Sequence, residues 1–187
     1  MGINKLIQRL GLTNLKIKLP FLEAEYNPNT DESQPKKRKK LFQLGYVYGQ
    51  YCVTENEGRN DICQQIEHFW KTVTDNPPSE AVPKHLRVLP SPSLIGELAT
   101  FLRRSLDESG FTEAERDLCL LGFMLFCQPL ARSHETADLV IKYSQTILIS
   151  ADERKQLRSD CVATDLSTKD GAMTFFKKWT RLIEERL

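Results

Sequence analysis

Residues 112–129 read TEAERDLCLLGFMLFCQP, and this stretch decides the fold. Thr112 and Glu115 stand at capping-box spacing. The hydroxyl accepts from the backbone N–H three residues on, and the carboxylate reaches back to the cap's own N–H. Behind the box, residues 118–127 are apolar almost all round. A helix without a polar face is one wrapped by others, so 113–128 is expected to be the central helix, stopped by Pro129. Ser150 with Glu153, and Ser167 with Asp170, repeat the start signature within the next sixty residues. Each is followed by apolar residues at helical spacing. The class that follows is mainly α, a helical bundle.

Working outward, residues 135–149 form one more helical face through Ala137, Val140, Ile141, Ser144 and Leu148. Shorter helices are expected at 151–161 and from about Thr168, the last one burying Ala172, Phe175, Phe176, Trp179, Leu182 and Ile183. Upstream, Ser91 and Pro92 open a helix well, because proline suits the first helical position. Its stripe is Leu94, Ile95, Leu98, Phe101, Leu102 and Leu106, and Gly110 ends it. Five prolines between 76 and 92 rule out regular structure there. Ile62, Ile66, Phe69, Trp70 and Val73 stripe a helix over 61–74, capped by Asn60 or Asp61. Residues 41–52 fit a helix face through Leu41, Leu44, Tyr48, Tyr51 and Cys52. They also fit a strand, since Gly45 and Gly49 weaken the helix; the helix is favoured. Gly45-x-x-x-Gly49 permits a close backbone approach, although outside membranes the pattern is mostly coincidence. No repeat of fixed period is present, which argues against a solenoid.

The first 26 residues read as an arm. Ile3, Leu6, Ile7 and Leu10 share a helical face closed by Gly11, and these four are the candidate partner-binding residues. The same helix can instead fold back onto the bundle, the commonest fate of one so short, lie on an anionic membrane or lead a transit peptide. Leu15, Ile17 and Leu19 then alternate with lysines as an extended segment, which Pro20 limits to an edge. Residues 27–40 read as a linker, polar and then basic. The bundle domain is expected over 41–187, with about six helices.

The net charge of +1 gives no global field toward nucleic acid or a membrane, so such binding needs a local patch. Five cysteines, an odd number without a C-x-x-C, read as reduced core side chains of a reducing compartment. The expected location is cytoplasmic, or nuclear in a eukaryote. Polar residues at Asn4, Lys5, Gln8 and Arg9 interrupt any secretory signal, and the longest apolar run is half the length of a bilayer span. Met1-Gly2 suggests myristoylation, but Leu6 stands where that motif wants Ser or Thr.

Lys36, Lys37, Arg38, Lys39 and Lys40 are the sharpest local feature. The run can be a solvated first helical turn, a polyanion site or an import signal. Five cations at a helix N-terminus oppose the macrodipole, which argues against a purely structural use. Arg103, Arg104, Lys177, Lys178 and Arg181 are added as polyanion-binding candidates. Tyr46, Tyr48 and Tyr51 follow the run and can stack on bases, though core packing is the commoner use. His68, His85 and His134 lack a nucleophile and an orienting acid nearby in sequence. Carboxylate pairs stand at Glu23/Glu25, Asp107/Glu108 and Glu184/Glu185. Glu184 and Glu185 diverge on a helix and read as solvated, and nothing in the sequence pins any pair in a cleft. No catalytic residue, metal site or cofactor is assigned, and a phosphate loop, G-x-S-x-G and H-E-x-x-H are missing from the sequence. The reading is therefore a non-enzymatic interaction protein, an adaptor or small subunit of an assembly, with a protein partner. The alternative is a nucleic-acid-binding helical subunit using the basic run.

Overall fold

The computed structural model describes residues 34–52, 54, 56–83, 92–131, 134–147 and 150–187. The N-terminal arm, with Ile3, Leu6, Ile7 and Leu10 and the extended segment, lies outside the described residues. So do His85 and Leu148. Among the described residues the chain is all-helical: α1 Gln34–Tyr51, α2 Asn56–Val73, α3 Pro92–Glu108, α4 Glu113–Ala131, α5 His134–Tyr143, a 3-10 turn Ser144–Thr146, α6 Ala151–Ala163 and α7 Lys169–Glu184.

The central helix is α4, which touches α1, α3, α5, α7 and the 3-10 turn. Residues 118–125 are buried without a break. Its capping box is formed: Glu115 N donates to Thr112 Oγ1 at 3.4 Å, and Thr112 N donates to Glu115 Oε2 at 2.9 Å. The box at Ser150 and Glu153 is formed as well. The third start is displaced by one residue. Asp165 Oδ1 takes both the backbone N–H and the hydroxyl of Ser167, so Thr168 becomes the cap and accepts from Gly171 N at 3.2 Å. Gly110, at φ 77°, closes α3. Phe111 N donates to Leu106 O and Gly110 N to Asp107 O, which satisfies the orphan carbonyls while Phe111 buries its ring.

Several boundaries differ from the sequence reading. Residues 34–40 are the first two turns of α1 and not linker. The helix α2 begins at Asn56, five residues early. The helix α4 passes Pro129 and ends at Ala131. The helix expected over 135–149 tightens at Ser144, whose hydroxyl bonds the Ile141 carbonyl at 2.9 Å and so competes with the α-helical ladder.

The largest difference is in α1. Residues 41–49 are all buried, Tyr46 and Gln43 included, so this helix is enclosed as fully as α4. Its glycines explain how. A Cβ at Gly45 would lie 1.8 Å from the Cys119 carbonyl oxygen, and one at Gly122 would lie 2.1 Å from that of Phe42. The two backbones therefore touch, and Gly49 backs onto the Phe126 side chain. The contacts 37–115, 45–119 and 49–126 increase together, so α1 and α4 run parallel. The Gly45-x-x-x-Gly49 spacing is thus used for close helix packing and is not coincidence.

Around this pair, Tyr46 meets Phe126 edge-on with centroids 4.8 Å apart. The Tyr48 hydroxyl accepts from Trp70 Nε1 at 2.9 Å and donates to the Ala81 carbonyl. One buried hydroxyl thereby ties α1 to α2 and to the proline-bearing connection, where Pro78 and Pro83 are buried. Burial pushes the Tyr48 phenol far above its ordinary pKa, which keeps it a neutral donor. The α7 stripe is as expected, with Phe175, Phe176, Trp179 and Ile183 buried and Leu182 partly so.

Candidate interaction surface

The parallel run of α1 and α4 places their N-termini at one end of the bundle. The Schellman turn brings the end of α3 there. Glu184, in the last turn of α7, lies close enough to Lys39 for its ionisation to respond to that ammonium. The basic run and three of the other five cationic candidates gather at this end. Arg103 lies beside Asp117 and the Tyr143 hydroxyl. Arg104 is 3.7 Å from Glu108, and Arg181 is 2.9 Å from Glu185. Lys177 and Lys178 lie about 10 Å up α7 at 1.5 Å per residue, toward α6. Lys178 sits 2.5 Å from Asp160 there and lies over the Trp179 ring.

The basic run is helical and partly enclosed. Lys36 is exposed, while Lys37, Arg38, Lys39 and Lys40 are half-buried. Lys37 Nζ lies 2.6 Å from Glu115 Oε1 and over the Phe111 ring at 5.3 Å. Glu115 thus serves two helices, closing the capping box of α4 and holding the first turn of α1. The acid beside the run also offsets the unfavourable placement of cations at a helix N-terminus.

The electrostatics at this end have both signs. Burial pushes the Glu115 carboxyl up, but the Lys37 ammonium and the Thr112 donors outweigh it and hold the group below its usual range. Burial raises Glu184, and Lys39 only partly offsets that. Burial and the nearby Glu113 carboxylate raise Asp117 against Arg103, Lys142 and Arg116. Arg116 itself is paired with Asp107 across the α3–α4 turn. The surface is a mosaic in which cations and acids alternate.

The sequence reading named the cations of this mosaic and missed its acids. Glu115 was visible only as a capping residue, and its bond to Lys37 joins positions 78 apart. Glu184 was read as solvated and is half-buried. No local pattern carries either fact. Tyr46, Tyr48 and Tyr51 are buried, so no tyrosine of the three is presented for base stacking. His68 is exposed on α2 beside Phe69. Among the described residues, no cluster of three or more His, Cys, Asp or Glu is placed to hold a metal ion, and no helix is long and apolar enough to cross a membrane.

These features define a mainly α helical-bundle protein with a mixed-charge end among the described residues. No family model, curated protein or solved structure matches it.

Proposed function

We propose that this chain is a non-enzymatic interaction protein, an adaptor or small subunit of a larger assembly, which meets a protein partner with the mixed-charge end. The observation that carries the reading is the interleaving of that end. Lys37, Arg104 and Arg181 each sit on an acid of the chain itself. A polyanion gains affinity by replacing condensed counterions with uncompensated cations. Cations already neutralised by neighbouring carboxylates release few. A protein surface with its own mixed charges matches such a mosaic, gaining specificity and orientation from the pattern. Lys36, exposed at the start of α1, is the cation offered outward, whereas Arg103 is engaged by Asp117 and the Tyr143 hydroxyl.

The test has two arms on the full chain. Fluorescent single-stranded RNA and duplex DNA are titrated at physiological salt and at higher salt, and affinity no tighter than about 10⁻⁶ M at physiological salt, the strong end of non-specific binding, is expected. A photo-crosslinking residue is then placed at Lys36 or, as a control, at the 85% exposed Val162 on α6. In cells of the source organism, the Lys36 position is expected to capture a discrete protein and the Val162 position is not. Tight binding that falls steeply with salt would instead favour the nucleic-acid-binding reading.

A further inference from the structure

We propose that Cys52 and Cys127 form a dithiol pair that closes to a disulfide under oxidation and locks the C-terminal end of α1 onto α4. The geometry of the glycine-crossed pair carries this. On α4 the face toward α1 runs through Cys119, Gly122, Phe123 and Phe126, and Cys127 continues it at helical spacing. On α1 the matching face runs through Phe42, Gly45 and Gly49, and Cys52 follows three residues on. Both thiols are reduced and buried at 2% and 0% exposure. They meet at the same end of the pair, the end opposite the charged surface, and Cys52 is the group in hydrogen-bonding reach of the Cys127 thiol. Close approach of the two backbones is what a short Cβ–S–S–Cβ bridge requires.

The position of Cys52 supplies the route. It lies one residue beyond α1, in a turn whose N–H bonds the Gly49 carbonyl at 3.1 Å, while its thiol donates to the Tyr48 carbonyl at 3.7 Å. Helix ends open locally at much lower cost than the core. Burial holds the enclosed Cys127 thiol protonated, so exchange waits on that opening. With oxidised glutathione as the oxidant, the Cys52 thiolate attacks one glutathione sulfur and releases the first glutathione thiol. The Cys127 thiolate then attacks the Cys52 sulfur and releases the second. Two protein thiols lose two electrons and two protons, and one glutathione disulfide becomes two thiols. The bridge closes a loop over residues 52–127 that contains α2 and α3.

The folded full chain is incubated with oxidised glutathione, alkylated, digested without reductant and mapped by mass spectrometry. A linked peptide pair joining Cys52 to Cys127 is expected as the main product, with three alkylated thiols left from the five after denaturation. The linked protein should unfold in urea at a higher midpoint, and a reductant should restore the original midpoint. Glutathione attached only at the half-exposed Cys63, or a different linkage, would overturn the proposal. Cys127→Ser should abolish the linkage and the shift, whereas Cys63→Ser should leave both. The map of the unaltered chain decides the matter even if Cys127→Ser fails to fold.

Discussion

The waist of the bundle, where Gly45 and Gly122 let α1 and α4 touch, contrasts with its charged end, where Lys37 meets Glu115. Both join the same two helices. At the waist the joint consists of missing atoms, and any added carbon meets a backbone oxygen that cannot move without separating the helices. At the charged end the joint consists of long side chains in partial contact with water, each replaceable at small cost. The difference teaches that the helix pair is specified by shape at its centre and tuned by charge at its rim.

The sharpest way to break this comparison is to fill the waist. Gly45→Ala and Gly122→Ala should cost at or above the roughly 3 kcal/mol top of the usual overpacking range, and Gly45→Leu should abolish the cooperative urea transition. Gly96→Ala is the control. A Cβ there meets nothing, so stability should rise by about 0.5–1 kcal/mol. Equal effects at Gly45 and Gly96 would refute the close crossing.

Leu125, fully buried in α4, should cost about 2–5 kcal/mol when truncated to Ala, read from the urea midpoint. A loss below about 1 kcal/mol would show that this face of α4 is not packed in the core. Tyr48→Phe should cost about 1–3 kcal/mol, because the Trp70 N–H and the Ala81 carbonyl both lose their partner in a buried site. Thermal denaturation of this variant beside Trp70→Phe measures the coupling, and additive losses would show that the bond joining the two rings contributes nothing.

The charged end should respond least, and with a pH signature. Lys37→Ala should change stability by about 1 kcal/mol or less at neutral pH. The Glu115 carboxyl is held below its unfolded value. Its contribution is therefore present above about pH 4.3 and is lost as the pH falls through the folded pKa. Glu115→Gln should flatten that acid limb. Glu184 has the opposite sign: its carboxyl is held above the unfolded value, so ionising it disfavours the fold once the pH rises past about 4.3. Glu184→Gln should accordingly gain stability at neutral pH and nothing at acid pH. Urea midpoints across this range separate the two, and a shared sign would contradict the pairing described.

How much of this was legible in the sequence depends on the range of the signal. The capping boxes of α4 and α6, the closing glycine of α3 and the apolar stripes of α2, α3 and α7 were readable because each acts within one or two turns. The cap of α7 was misplaced by one residue, since Ser167 and Thr168 offer the same chemistry and only the turn at Asp165 chooses between them. The enclosure of α1 was not readable. Tyr46, Gln43 and the flanking cations look amphipathic until a second helix covers the outer face.

The sequence by itself determined that this is a helical protein with one near-continuous apolar helix, because helical periodicity and caps are local physics. It also supplied ten candidate cations without saying which would meet. Only the tertiary structure decided that α1 and α4 cross backbone to backbone, that eight of those cations share one end, and that acids from α3, α4 and α7 are threaded among them. The physical reason is that each of these depends on a rigid-body crossing. That crossing is fixed by glycines on two helices whose positions, 45 and 122, no local pattern relates.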